Sequence, residues 1–190
     1  MSEYVVHTPE SAPESVRHIL ESSRQKLGFV PNLYAGLANA PAALEAYIAI
    51  SGYFDKTSLT PVERQVVLLA VSEINGCEFC VAAHSMIARK MVGAPNEVVD
   101  ALRAGRLPAD TRLAALTAFT RAVVQERGWI ANHPAFSHFL EAGYTHEQAL
   151  EVILGVTQKT LSNYANHLLN TQLNPAFESE QWTRPPQPVR

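Results

Sequence analysis

The chain has 190 residues, 47% of them apolar, and a formal net charge of −3. That length and composition suit one domain with a sizeable core, and the charge balance, with no basic run, argues against nucleic-acid binding. No apolar stretch approaches the ~20 residues of a membrane span. The opening MSEYVVHTPESAPESVRH lacks the basic start and apolar block of a secretion signal, so a cytoplasmic location is expected.

Helical periodicity runs through nearly the whole chain. From Pro9 to Lys26 the residues Val16, Ile19, Leu20 and Leu27 keep that spacing, and Gly28 is a stop. A short helix is expected from Asn32 to Asn39, and Pro41 opens another to about Phe54. Thr60-Pro61-Val62-Glu63 combines a cap, a first-position proline and a capping-box glutamate, starting a helix that runs to about Ile74. Asn75-Gly76 breaks it, and the next helix is expected from about Cys77 to Met91. Pro95 to Ala104, Asp110 to Arg127 and Pro134 to Glu141 follow. A second capping box, Thr145-His146-Glu147-Gln148, opens a last helix that the pattern extends to Leu173. No hairpin and no βα alternation is visible, so the fold class is all-α, with residues 1–174 as one domain. The proline-rich tail 175–190 reads as extended, with Phe177 and Trp182 as residues that would dock it.

Both cysteines of the chain, Cys77 and Cys80, lie in NGCEFCVAAH, and His84 follows. At about 100° per residue, Cys80 is about 60° and His84 about 20° from Cys77, so all three share a helix face. Cα atoms three apart on a helix are close enough for a disulfide. His84 stands one turn from Cys80, within reach of a thiol proton. The first turn of a helix favours thiolate, an imidazole can shuttle the proton, and a static disulfide is disfavoured in a reducing compartment. Two other readings remain. The cysteines could be small core residues, or they could join His84 in a zinc site. Zinc would need a fourth ligand, and His7, His18, His133, His138, His146 and His167 are scattered.

The stretch SLTPVERQVVLLAVSEINGCEFCVAAHSMIARKMVGAP resembles the core of the AhpD-like, carboxymuconolactone decarboxylase superfamily, most clearly from about Ala42 to Ala122. LGFVPNLY and NPAF resemble its peroxidase-related branch. The resemblance implies an AhpD-like helical bundle that forms homo-oligomers, commonly trimers or hexamers. It implies a thiol-dependent (alkyl)hydroperoxide reductase or disulfide reductase. Cys80 would attack a hydroperoxide, Cys77 would close the disulfide, and a lipoyl or thioredoxin-like dithiol protein would reduce it. His84 would join a proton relay, with no metal, haem or flavin required.

The resemblance departs from the family at one position. Family enzymes carry a glutamate twelve residues before the first cysteine, where this chain has Gln65. A carboxamide cannot relay a proton but can hold an imidazole or thiol. Glu63 points about 200° away from Gln65 on the helix and suits its capping role. Ser72 shares Gln65's face and Glu73 lies near the Asn75-Gly76 break, so either could approach the thiols. In the last helix Asn163, Tyr164, Asn166 and His167 form a polar cluster, and His167 or Tyr164 is expected to reach the pocket around Cys80. Two other functions fit the superfamily. A non-redox decarboxylase-like enzyme is disfavoured by the cysteine pair, and a redox-responsive oligomer with little turnover is favoured by Gln65.

Overall fold

The structure, a computed structural model, describes residues 4–184. Nine α-helices follow in order among them: α1 (Glu14–Leu27), α2 (Asn32–Leu37), α3 (Pro41–Phe54), α4 (Pro61–Ile74), α5 (Glu78–Met86), α6 (Asn96–Arg103), α7 (Thr111–Gln125), α8 (Pro134–Glu141) and α9 (His146–Leu169). The all-α expectation holds. No helix among the described residues is long and apolar enough to cross a membrane.

Helix α4 is the hub. It packs against α5, α6, α7 and α9, while α9 also lies along α3. Residues Val66 to Ser72 are all buried, as befits a helix covered on every side. Its start is the capping box read in the sequence: Thr60 Oγ1 accepts from the Glu63 amide at 3.2 Å, and Glu63 Oε2 accepts from the Thr60 amide at 2.8 Å. Gly155 sets how closely α9 approaches. A Cβ there would stand 2.7 Å from Phe54 Cζ and 2.9 Å from Val67 Cγ1, so only glycine fits between α3 and α4.

Several helix ends differ from the periodic pattern, each for a local reason. Helix α1 starts at Glu14 rather than Pro9 because Thr8 and Ser11 form a turn, with the Thr8 amide donating to Ser11 Oγ at 2.9 Å. Helix α2 ends at Leu37, two residues early. Helix α7 stops at Gln125 because Arg127 and Gly128 take positive φ. Helix α9 stops at Leu169, not Leu173, because Asn170 adopts the left-handed conformation at φ 48°. Beyond α5 the chain widens into a π-turn over Ile87–Val92 instead of continuing as α-helix to Met91.

The tail is not extended at its start: Pro175–Glu180 form a 3-10 helix. Phe177 and Trp182 are buried. Trp182 Nε1 donates to the Arg103 carbonyl at 2.9 Å, and the Arg103 guanidinium donates to the carbonyls of Glu180 and Gln181 at 3.0 Å each. The expectation for 185–190 lies outside the described residues.

The buried side chains form two apolar clusters. One gathers Val66, Leu69, Leu116, Phe119 and Phe139 between α4, α7 and α8. The other gathers Val16, Leu20, Leu33, Leu44, Tyr47, Phe79 and Phe177, and includes both cysteines. The thiols therefore sit inside packed structure, at the face of α5 that meets α9, in one cluster with Leu44 and Tyr47 of α3.

Candidate active site

The turn before α5 builds the thiol pair. Gly76 takes φ 68°, a conformation open to glycine. That bend lets the Cys77 amide donate to the Ser72 carbonyl at 2.9 Å and leaves Cys77 at the N-cap of α5, with Cys80 in the first turn. Both cysteines are free thiols and buried.

Helix α9 supplies the groups that face them. Asn166 Nδ2 donates to Cys80 Sγ at 3.1 Å and lies 3.7 Å from Cys77 Sγ. Behind it runs a second row of hydrogen bonds. Asn75 Nδ2 donates to Asn163 Oδ1 at 2.9 Å, Asn163 Nδ2 to Ser72 Oγ at 3.4 Å, and the Ser72 hydroxyl to the Leu68 carbonyl at 2.7 Å. One turn earlier, Lys159 is 1% exposed, and its ammonium donates to His84 Nε2 at 3.0 Å. His84 Nδ1 in turn donates to Gln65 Oε1 at 3.0 Å. The imidazole is thus neutral, and burial together with the adjacent Lys159 charge holds it well below its ordinary pKa.

These contacts polarise the two thiols in opposite directions. Burial pushes Cys80 up, but the hydrogen bond from Cys77, the Lys159 ammonium and the amides of Asn163 and Asn166 outweigh it. Cys80 is therefore held well below the ordinary thiol range. Cys77, the donor in that pair, is pushed up by the same hydrogen bond and by burial. The result is a thiolate at Cys80 and a thiol at Cys77.

A cavity of about 520 Å³ opens onto this pair. Cys80 lines it and Cys77 does not. The wall includes His84, Gln65 and Lys159 together with Phe29, Tyr34, Tyr47, Phe79 and Phe177. Phe177 meets Phe29 and Phe79 edge-on, with ring centroids 5.6 and 5.7 Å apart. Burial pushes the Tyr34 and Tyr47 hydroxyls up, so both stay neutral phenols.

The residues expected from sequence divide clearly. Cys77, Cys80, His84 and Gln65 come together, and Ser72 supports them from the second row. Both ring nitrogens of His84 are engaged by Lys159 and Gln65, so its link to the thiols runs by way of Lys159 rather than directly. Glu73 turns away: its carboxylate pairs with Arg121 at 3.4 Å, and burial pushes its pKa up. Glu63 pairs with Arg112 at 3.1 Å, near the capping box. Tyr164 and His167 do not line the cavity. Both are exposed, and they lie against each other on the outer face of α9. Asn163 and Asn166, from the same polar cluster, are the members that turn inward. Lys159 and Gln158 were not singled out from the sequence. The signal was available, because Lys159 lies four and seven residues before Asn163 and Asn166, on one helix face. Among the described residues no three His, Cys, Asp or Glu side chains converge to hold a metal ion.

A helical bundle with a polarised C-x-x-C pair at a helix start, opening on an internal cavity, defines a class of thiol-bearing proteins. Within that class, the matched core and the solved structures support the AhpD-like, carboxymuconolactone decarboxylase superfamily. The profile of the Carboxymuconolactone decarboxylase family matches residues 35–123, from α2 into α7. The chain is similar to an uncharacterized peroxidase-related protein of Ralstonia eutropha JMP134, described as an alkylhydroperoxidase AhpD core. The identity is 28%, the coverage 92% of this chain and 93% of that one, and the TM-score 0.82. The debrominase Bmp8 shares the fold at 19% identity and a TM-score of 0.76, over 95% of this chain and 96% of its own. A cysteine-to-alanine variant of Bmp8 has been seen with 2,3,4-tribromopyrrole. Among curated proteins, the uncharacterized protein YdfG of Bacillus subtilis (strain 168) is 33% identical over 52 residues, which cover 27% of this chain and 35% of that protein.

Proposed function

We propose that the protein is a thiol-dependent hydroperoxide reductase that cycles through a Cys77–Cys80 disulfide. The observation that carries this reading is the asymmetry of the pair: the polarised thiol, Cys80, is the one on the cavity wall. The Cys80 thiolate attacks the terminal oxygen of a hydroperoxide. A sulfur–oxygen bond forms, the O–O bond breaks, and the departing alkoxide takes a proton from the Lys159 ammonium. Cys77 then attacks the sulfenic acid, closing the disulfide and releasing water. A dithiol donor reduces the disulfide, returning one proton to Cys77 and one to Lys159. The net change is one hydroperoxide and one dithiol converted to an alcohol, water and the donor disulfide. His84 holds Lys159 in place, and Gln65 fixes the imidazole tautomer in the position where family enzymes have glutamate.

Such a cycle needs a reducing compartment, in keeping with a cytoplasmic location, and a lipoyl or thioredoxin-like protein as donor. Assembly as a trimer or hexamer belongs to the same reading, and the exposed Leu150, Ile153 and Leu168 of α9 give it an apolar surface. In the test, Cys80→Ser abolishes hydroperoxide consumption. Cys77→Ser stops after one turnover with a sulfenic acid that dimedone traps for mass spectrometry. Undiminished turnover by Cys80→Ser sinks the reading.

The aromatic wall favours a second electrophile. An aryl bromide fits the same cycle: Cys80 takes the bromine as a sulfenyl bromide, the ring carbon takes a proton, and Cys77 displaces bromide to form the same disulfide. The fold shared with Bmp8 supports testing it. Bromide release from 2,3,4-tribromopyrrole, compared with hydroperoxide consumption under the same dithiol, separates the two chemistries.

A further inference from the structure

Gln158 is 3% exposed, lines the cavity, and presents Oε1 with no hydrogen-bond partner among the described residues. Buried carbonyl oxygens are paired in the great majority of cases, so an orphan on a side chain that lines a cavity calls for a partner, which Oε1 meets once the terminal amide turns toward the cavity. Asn166 Oδ1 is also unpartnered, but Asn166 lies behind the thiols and does not line the cavity. Gln158 and Lys159 are neighbours in the chain yet both are buried, because α9 is wedged between α3, α4 and α5. Gln158 stands beside the Tyr47 hydroxyl of α3, while Lys159 reaches His84 of α5. Gln158, Lys159 and Cys80 all line the cavity, so its wall holds an unpaired acceptor, a donor and the thiolate.

Resting on the hydroperoxide reading above, we propose that Gln158 Oε1 is the acceptor that orients the terminal O–H of the substrate toward Cys80. A hydroperoxide offers one O–H donor, on the oxygen that sulfur attacks. Held by Gln158, that oxygen faces the thiolate, and the second oxygen, which leaves as alkoxide, falls to the Lys159 ammonium. The organic body then lies against Tyr34, Tyr47, Phe79 and Phe177, so Gln158 selects for the peroxide O–H and the rings for an apolar body. The S–O bond forms, the O–O bond breaks and the alkoxide takes its proton from Lys159, as in the cycle already given.

The experiment compares two reagents on pre-reduced enzyme by stopped flow. Cumene hydroperoxide carries the O–H; methyl methanethiosulfonate also reacts with the thiolate but carries no O–H or N–H. Gln158→Met is expected to slow the first reaction about tenfold and to leave the second within about twofold, across the pH range. Gln158→Asn, which keeps an acceptor one methylene further back, is expected to fall between; if Gln158→Met does not fold, this variant carries the same comparison. Equal slowing of both reagents, or an unchanged hydroperoxide rate, overturns the proposal and leaves the hydroperoxide reading standing. A wild-type Cys80 that methyl methanethiosulfonate modifies but no hydroperoxide oxidises removes the substrate itself and overturns both.

Discussion

Helices α5 and α9 make the site in different ways. Helix α5 carries the two thiols, and places them through nine consecutive residues: Gly76 turns the chain, Cys77 stands at the N-cap, and Cys80 and His84 follow at helical spacing. Helix α9 carries no reacting sulfur. It brings Gln158, Lys159, Asn163 and Asn166 from some eighty residues away, onto the sulfurs or into the cavity, through packing against α3, α4 and α5. The comparison separates identity from tuning: α5 supplies the sulfurs, and α9 supplies groups that polarise them.

The largest expected break in that division is Lys159→Met. Methionine roughly keeps the volume but removes the ammonium whose charge acts on both thiols. The midpoint of Cys80 alkylation against pH should rise by about two pH units, within the range for losing an opposite charge at close quarters. An unmoved midpoint would place the tuning back on α5. The same titration has a stability counterpart. Because Cys80 titrates lower in the folded chain than in the unfolded one, its stabilising contribution is complete above the unfolded thiol value of about 8.5. That contribution is lost as pH falls through the folded midpoint. Wild type should therefore lose thermal stability on acidification more steeply than Lys159→Met, measured by melting temperature from pH 9 downward.

Asn166→Leu should give the next largest effect. It removes the 3.1 Å amide donor to Cys80 while keeping the side-chain volume. A hydrogen bond to a charged group contributes about 1.5–3 kcal/mol, so the alkylation midpoint should rise by about one pH unit. The shift should be smaller than for Lys159→Met because the Lys159 charge weighs more on Cys80 than the Asn166 amide does. A shift equal to or larger than that of Lys159→Met would make the short hydrogen bond, rather than the buried charge, the main source of thiolate stability.

Gln65→Glu sharpens the comparison from the α4 side. A carboxylate accepting from His84 Nδ1 favours the imidazolium, so the His84 titration should move up by about one pH unit, read by NMR of the ring protons. Cys80 should respond only slightly, because His84 meets the thiols by way of Lys159. A large change in the Cys80 midpoint would show that the relay through Gln65 governs the sulfur directly.

What could be read from the sequence follows the same division. The α4 cap, the Asn75-Gly76 break and the C-x-x-C-x-x-x-H spacing are local, and α4 and the start of α5 fall where the pattern put them. The ends of α1, α7 and α9 were misjudged because hydrophobic period says nothing about Thr8 and Ser11 bonding to the backbone or Arg127 and Asn170 turning left-handed. The groups on α9 were harder, since a lysine in a helix ordinarily reads as solvated. Only packing reveals that Lys159 is enclosed and that the inward members of the polar cluster are Asn163 and Asn166. The cavity wall is assembled in the same non-local way, with Phe29 and Tyr34 from the N-terminal segment and Phe177 from the tail closing over residues of α5.

The smallest effect is expected on the outer face of α9, and it tests whether the two faces of that helix are functionally separate. His167 follows Asn166 directly and matches the period of Asn163, yet it is exposed and lies against Tyr164, with ring centroids 6.5 Å apart. Neither ring lines the cavity or bonds to a group that does. His167→Ala should therefore leave the Cys80 alkylation midpoint within about 0.2 pH units, the ordinary result for a surface substitution away from special contacts. Tyr164→Phe should do the same. A midpoint shift in His167→Ala approaching that of Asn166→Leu would mean that charge on the outer face reaches the sulfur through the helix. The partition of α9 into a tuning face and an outer face would then fail, even with every contact of Lys159 intact.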